Sequence, residues 1–148
     1  MSDLRGKVVL VRFFTDPDCP FCRVTAPALN ELHAEHASRG LVVVGMYTPK
    51  PRPAPATTEE VRRVAEGYGF RFPVAVDDDW SALRALWLDR VPRAGFTSAS
   101  LLVDRAGKVR HVHPGGAYAP GAADPGARRY YASLRAAILA LLSEPEPN

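Results

Sequence analysis

Two short apolar runs rich in β-branched residues constrain the fold of this chain more than any other feature. The first run, KVVLVRFF, covers residues 7–14, and the second, LVVVGMY, covers residues 41–47. Runs of this length and composition are typical of buried strands. One helical segment lies between them, and parallel strands need a crossover connection of that kind. The sequence therefore predicts that the two runs pair in parallel at the centre of a sheet.

The remaining segments extend this sheet and cover it. A helix is predicted from Pro20 to about Ser38, and a capping box formed by Thr57 and Glu60 starts a second helix that ends near Gly67. Further predicted elements are a strand over 70–76, a short helix over 77–88, a β-hairpin over 98–114 and a last helix over 128–142. This β-α-β-α-β-α-β-β-α order predicts an α/β fold with a central mixed sheet of about five strands and helices on both faces.

Composition fits one compact domain. The chain has 148 residues, of which 47% are hydrophobic and 24% charged. We expect a single domain over residues 1–148, ordered from about 6 to 142, with a frayed tail over 143–148. The net charge is +3, and no block of five or six like charges occurs, so no nucleic-acid partner is expected.

Two further expectations concern membrane spanning and the cellular compartment. No apolar run approaches the roughly 20 residues that cross a bilayer, so no membrane span is expected. The sequence as written begins without a leader peptide, which predicts a cytoplasmic protein, whereas a natural leader ahead of it would make the protein periplasmic. The sequence leaves the oligomeric state open.

The two cysteines of the chain lie in the stretch FFTDPDCPFCR, where the first strand meets the first helix. A helix N-terminus has unpaired N–H groups and a partial positive charge, which favour a thiolate at Cys19. Cys22 lies one turn further on, where it can close a disulfide and release a partner. This placement predicts an exposed nucleophile, Cys19, and a more buried resolving thiol, Cys22. A structural staple is the alternative, although a disulfide that closes so small a loop stabilises little.

Several segments together resemble one known family. GKVVLVRFF with CPFC, a proline five residues after the second cysteine, GLVVVGMY, TTEEVRRVAEGYGFRFPVAVDDD and LLVDRAGKVRHVHPGG are similar to the TlpA-type, ResA-like branch of the thioredoxin superfamily. The similarity runs from about Gly6 to Leu142. It implies a thioredoxin fold and a thiol–disulfide oxidoreductase that reduces, or less often isomerises, protein disulfides. The implied partners are a disulfide-containing protein and an unidentified thiol reductant, and the implied redox carrier is the dithiol itself, without a bound cofactor.

The residues around the cysteines depart from that family. Asp18 occupies the position before the first cysteine, where the family usually has Trp, and Pro20 and Phe21 separate the two cysteines. A carboxylate next to Cys19 is expected to raise the pKa of its thiol and to make the redox couple more reducing. Alternatively, Asp16 and Asp18 only shape a turn through Pro17 and cap the helix.

A second departure lies on the first strand, where Arg12 or Phe13 replaces a polar group of the family. The family usually has a buried Asn or acid near this position, and that group relays a proton to the resolving cysteine. Without it, Cys22 is expected to depend on water or on a residue from elsewhere in the chain. Arg12 is also expected to pair with Asp16 or Asp78.

A third departure lies just before the predicted hairpin. The family has a cis-proline there, opposite the two sulfurs, and counting along the sequence puts Ser98 at that position. The hydroxyl of Ser98 is then expected to face a cysteine sulfur, and the backbone of Thr97 to face a bound peptide. Alternatively, Pro92 supplies the turn, and the alignment shifts by several residues.

Two other functions use the same cysteines. Cys19 and Cys22 together with His113 would suit zinc, copper or an iron–sulfur cluster, because thiolates and imidazoles are ligands that these metals prefer. A peroxiredoxin-like peroxidase is less well supported by the motif. Thr15 lies four rather than three positions before Cys19, and Arg12 occupies the place of the peroxiredoxin proline.

Overall fold

The computed structural model describes residues 2–16 and 18–147. The strands, in chain order, are β1 (Val8–Phe14), β2 (Leu41–Tyr47), β3 (Val74–Val76), β4 (Ser100–Val103) and β5 (Val109–His113). The helices are α1 (Pro20–His36), α2 (Thr58–Gly67), α3 (Ser81–Leu83, continued by a π-helical turn over Arg84–Leu88) and α4 (Pro125–Ser143). Among these described residues, no helix combines the length and the apolar character needed to cross a membrane.

The five strands form one mixed sheet in the order β3-β2-β1-β4-β5. β1 pairs in parallel with β2, from Val8 opposite Leu41 to Phe14 opposite Tyr47, and β2 pairs in parallel with β3. β4 is antiparallel to both β1 and β5. The predicted central parallel pair and the predicted hairpin are therefore confirmed.

Helices cover both faces of the sheet, and the side chains of β1 are therefore buried on both sides. Val8 and Leu10 pack in one cluster with residues of α1 and α4. Val9, Val11 and Phe13 pack on the opposite face with Leu83 and Trp87 of the α3 segment. The strand reads as a continuous apolar run for this reason, and its single charged residue, Arg12, is buried with the others.

Several boundaries differ from the prediction by a few residues, and for two of them the local cause is clear. The third strand is only Val74–Val76, because the backbone of Phe70 instead donates to the end of α2, and Pro73 has no N–H to give to a ladder. The last helix begins at Pro125 rather than at residue 128. Asp124 caps it by accepting hydrogen bonds from the amides of Gly126 and Ala127.

Candidate active site

Cys19 and Cys22 form a disulfide at the start of α1, with their Cα atoms 5.3 Å apart. Cys19 is the N-cap residue, Pro20 occupies the first helical position, and the amide of Cys22 donates a hydrogen bond to the sulfur of Cys19 over 3.2 Å. Cys19 is partly exposed, whereas Cys22 is only 1% exposed. The expected difference in exposure is confirmed. The amides and the positive end of the helix dipole face the sulfur of Cys19, which favours a thiolate there after reduction.

Two tyrosines hold the loop that precedes Cys19. The hydroxyl of Tyr68 donates to the carbonyl of Asp16, lies 3.3 Å from the carbonyl oxygen of Thr15, and accepts a hydrogen bond from the amide of Cys19 over 3.4 Å. The hydroxyl of Tyr47 donates to the carboxylate of Asp16 over 2.9 Å. Burial and the bond to Asp16 raise the pKa of Tyr47 to about 12, and burial raises the pKa of Tyr68. Both hydroxyls therefore stay protonated at neutral pH.

The two aspartates near the motif do not cap the helix. Asp18 is exposed, and the N-cap of α1 is Cys19 itself. The carboxylate of Asp16 accepts from Tyr47 instead of from a helix amide. The interpretation of these two aspartates as helix caps is therefore wrong. The predicted turn passes through Pro17, which lies outside the described residues, so the turn stays a prediction. An electrostatic effect of Asp18 on Cys19 stays a prediction.

Arg12 is fully buried on β1. Its guanidinium donates to the carbonyl of Gly116 over 2.8 Å and to the hydroxyl of Ser100 over 3.4 Å, and it lies over the ring of Tyr118, 5.4 Å from the ring centre. Burial lowers the pKa of Arg12, and the nearby Tyr118 partly opposes this change. A guanidinium nevertheless stays protonated in proteins, so Arg12 is a cation inside the core.

The expected ion pairs of Arg12 are not formed. The Asp16 carboxylate is bound to Tyr47, and that of Asp78 accepts from the amide of Ala56. Within residues 2–16 and 18–147, no carboxylate lies at ion-pair distance from Arg12. That prediction is wrong because Arg12 lies on a strand face that is covered by apolar and aromatic side chains.

His113 belongs to the same buried cluster as Arg12. It is 2% exposed and lies edge-on to the rings of Tyr118 (4.9 Å) and Tyr130 (4.5 Å). Burial, with a smaller contribution from the charge of Arg12, lowers the pKa of His113 to about 4, so the ring is neutral at pH 7. Next to it, the hydroxyls of Ser100 and Tyr118 share a hydrogen bond of 2.8 Å.

The residues of the predicted metal site do not come together. Within the described part of the chain, no group of three or more His, Cys, Asp or Glu side chains is arranged to hold a metal ion. Cys19, Cys22 and His113 therefore do not form a metal site. His113 lies on β5, where the rings of Tyr118 and Tyr130 pack against it.

The segment before β4 reaches the motif through an aromatic contact. Phe21, between the two cysteines, packs edge-to-face against Phe96 with ring centres 5.5 Å apart, and both rings are partly exposed. Ser98 is buried, and its hydroxyl accepts a hydrogen bond from the amide of Gly116 over 3.2 Å. The expectation that this hydroxyl faces a sulfur is not met in the described residues. Thr97 is half-buried between these two positions, and its contact with a peptide stays a prediction.

Sequence reasoning missed three tyrosines of this site. Tyr47 and Tyr68 hold the loop before Cys19, and Tyr118 stacks with Arg12. Each lies at the end of an element or in a loop, where the sequence carries no periodic signal. Their one shared feature is an aromatic ring with a hydroxyl, which is common in cores and does not by itself indicate a site.

Comparison with known proteins supports the family resemblance that the sequence motifs indicated. Residues 1–112 match the AhpC/TSA family. The chain belongs to this family. The arrangement of its sheet and helices is a thioredoxin fold, and within that superfamily it is a redoxin-type domain similar to ResA.

Individual relatives cover most of the chain. ResA, a thiol-disulfide oxidoreductase of Bacillus anthracis, is 28% identical over 109 residues, which are 74% of this chain and 56% of ResA. Peroxiredoxin Bcp of Escherichia coli is 29% identical over 76% of this chain and 71% of its own length. A thiol-disulfide isomerase of Corynebacterium glutamicum has a solved structure that superposes with a TM-score of 0.70 at 27% identity, over 97% of this chain and 86% of that one. The chain thus spans little more than half the length of ResA.

Proposed function

We propose that this protein is a thiol–disulfide oxidoreductase that reduces disulfides of other proteins. The observation that carries the proposal is the position of Cys19 at the N-cap of α1, where its sulfur accepts the amide hydrogen of Cys22. That position favours a thiolate on the partly exposed cysteine, which a substrate can reach. The similarity to ResA and to the Corynebacterium isomerase supports the same reaction class.

The proposed cycle starts from the reduced dithiol. The Cys19 thiolate attacks one sulfur of a substrate disulfide, so a Cys19–substrate bond forms and the other substrate sulfur leaves as a thiolate that takes up a proton. The Cys22 thiolate then attacks Cys19, the Cys19–Cys22 bond forms, and the second substrate sulfur leaves and is protonated. Two electrons pass from the protein to the substrate. An external thiol reductant, still unidentified, returns them in the next round.

The assignment of roles can be tested with insulin as the disulfide probe and dithiothreitol as the reductant. We expect the Cys19→Ser variant to lose insulin reduction entirely. The Cys22→Ser variant should attack but not resolve, and should therefore accumulate a mixed disulfide that is visible by mass spectrometry. Full activity in Cys19→Ser together with loss in Cys22→Ser would reverse the assignment.

A thiol peroxidase is the second candidate, favoured by the similarity to peroxiredoxin Bcp. In that reaction Cys19 would attack hydrogen peroxide, form a sulfenic acid and release water, and Cys22 would then form the disulfide with loss of a second water. Consumption of peroxide by the reduced protein at rates that exceed insulin reduction would favour this candidate. We expect the opposite ranking, because the peroxiredoxin spacing around Thr15 and Arg12 is broken.

A further inference from the structure

A proline-rich segment follows β2 at the edge of the sheet where β1 leads to the cysteines. Every second residue from 49 to 55 is proline, and the side chains from residue 50 onward are exposed. The segment begins just after Tyr47, whose register partner Phe14 ends β1, and the amide of Thr48 donates to the carbonyl of Phe14 over 2.8 Å. The loop to Cys19 and the proline-rich segment therefore leave neighbouring strands at one edge. The carboxyl ends of parallel strands are also where α/β proteins usually bind their ligands.

The segment is fixed at two places to the turn that follows β3. The indole N–H of Trp80 donates to the carbonyl of Pro49 over 2.8 Å, and Pro49 is buried. Further on, the amide of Ala54 donates to the carbonyl of Asp78 over 3.0 Å, and the amide of Ala56 donates to the carboxylate of Asp78 over 3.3 Å. The residues between these anchors are held in solvent, and their prolines restrict the backbone. Binding a partner there therefore costs little conformational entropy in this protein.

The stretch between the anchors, residues 50–53, carries two cations. Lys50 and Arg52 are exposed, and in the described part of the chain neither forms an ion pair. The acids of the neighbouring turn accept hydrogen bonds from backbone amides instead: Asp77 from Ala82 and Leu83, Asp78 from Ala56, and Asp79 from Ser81. A mere connection between β2 and α2 explains the stiff backbone, but it does not explain why the stretch holds two cations in solvent.

We propose that residues 50–53 are a docking segment for an acidic surface on the protein whose disulfide Cys19 attacks. This inference rests on the proposed function and adds the charge of the substrate. Asp18, exposed just before Cys19, repels acids at the disulfide itself, whereas Lys50 and Arg52 attract acids that lie to one side of it. The two opposite charges therefore select an orientation of the partner. Charges of this kind act mainly on the rate of association, and salt screens them.

The test uses three synthetic peptides that differ only in charge. Each has one intramolecular disulfide and, after a spacer of Gly and Ser, a block of Glu, Gln or Lys residues. The full-length protein is reduced and mixed with each peptide, and the second-order rate constant of peptide reduction is measured by chromatography. At low salt, we expect the wild type to reduce the Glu peptide at least about fivefold faster than the Lys peptide, with the Gln peptide between them. About 1 M salt should remove the difference.

Charge reversal in the docking segment should reverse this order. The variant is Lys50→Glu combined with Arg52→Glu. Its matched control, Arg39→Glu combined with Lys108→Glu, changes the net charge equally at two exposed positions on the opposite edge of the sheet. We expect the control to keep the order of the wild type. All three proteins should reduce hydroxyethyl disulfide, which is small and uncharged, at the same rate, because the dithiol is unchanged.

The outcomes separate this inference from the proposed function. A wild type without the preference for Glu overturns the inference, and so does an unchanged order after charge reversal at residues 50 and 52 or a reversed order in the control. If the charge-reversed variant does not fold, Lys50→Gln combined with Arg52→Gln decides: it should abolish the preference, and a preference that persists overturns the inference. A wild type that reduces neither the peptides nor hydroxyethyl disulfide contradicts the proposed function instead.

Discussion

The amide of Cys22 donates a hydrogen bond to the sulfur of Cys19 across 3.2 Å, so the backbone of the second cysteine supplies the capping bond to the side chain of the first. A helix needs an acceptor at its N-cap, and most helices use a hydroxyl or carboxylate oxygen for this. Here the acceptor is sulfur, and a thiolate is a stronger acceptor than a thiol. Formation of the Cys19 thiolate and capping of α1 are therefore coupled, and changes around Cys19 should alter both.

Removing the hydroxyl of Tyr68 should weaken this arrangement. In Tyr68→Phe, the amide of Cys19 keeps the carbonyl of Asp16 as an acceptor but loses the hydroxyl, and that carbonyl loses the hydroxyl donor. We expect the free energy of unfolding to fall by about 1–2 kcal/mol. The loop that sets the position of Cys19 should also loosen, so the pKa of the Cys19 thiol should rise. The pH dependence of iodoacetamide alkylation of the reduced protein measures this pKa.

Tyr131→Phe is the matched control for that experiment. Tyr131 is buried to the same degree as Tyr68, but it packs in the cluster between α1 and α4. We expect its alkylation profile to match that of the wild type. If Tyr68→Phe loses stability but alkylates like the wild type, the hydroxyl acts on folding alone.

Replacing Asp18 should make Cys19 more reactive. Asp18 is exposed immediately before Cys19, and its negative charge opposes a second negative charge on the thiolate. In Asp18→Asn, we expect the pKa of the Cys19 thiol to fall and the couple to become more oxidising. Alkylation and a glutathione equilibrium measure the two effects. Asp89→Asn, at an exposed position after the α3 segment, is the control and should change neither.

The central part of the fold was predictable because its residues are buried on both faces. β1 and β2 are apolar along their whole lengths, and a single helix connects them, which leaves parallel pairing as the natural arrangement. The start of the third strand was predicted less well. Phe72 is apolar like a strand residue, but its ring packs against the core from a connecting segment, and hydrophobicity does not distinguish the two cases.

The site was predictable where one local motif determines it. The helix start predicts which of Cys19 and Cys22 faces solvent, and the structure confirms that difference in exposure. The partners of Arg12 were not predictable. Its contacts with Gly116 and Tyr118 join residues more than 100 positions apart, and they depend on the packing of a loop against the sheet.

Substitution of Gly115 should disturb the aromatic contact beside the motif. A Cβ at Gly115 would overlap the side chain of Phe96, and its φ of +129° is already unfavourable for other residues. We expect Gly115→Ala to lower the free energy of unfolding by about 2–4 kcal/mol, as measured by urea denaturation. Gly116→Ala is the control. Its φ is +88°, but the space around it is open, so we expect a smaller loss of about 1–2 kcal/mol.

The stability of the fold should depend on pH through His113. Burial lowers its pKa from 6.5 to about 4, so between these values the unfolded chain binds a proton that the folded chain does not. The free energy of unfolding should therefore have its full value above about pH 6.5. It should decrease by roughly 2–3 kcal/mol as the pH falls toward 4. His113→Phe removes the imidazole that binds this proton. The free energy of unfolding, measured by urea denaturation at pH 7 and 4.5, should therefore depend less on pH in this variant. An equally steep dependence in the variant would contradict this origin.

The central claim is that Cys19 and Cys22 form a reversible two-electron couple that exchanges with other disulfides. A redox titration of the wild-type protein in glutathione buffers, followed by thiol trapping and mass spectrometry, tests it most directly. We predict one transition in which both thiols appear together, a fit with two electrons, and no protein in which only one cysteine is modified at equilibrium. Two thiols that titrate independently, or a disulfide that does not form again after reduction, would contradict the account.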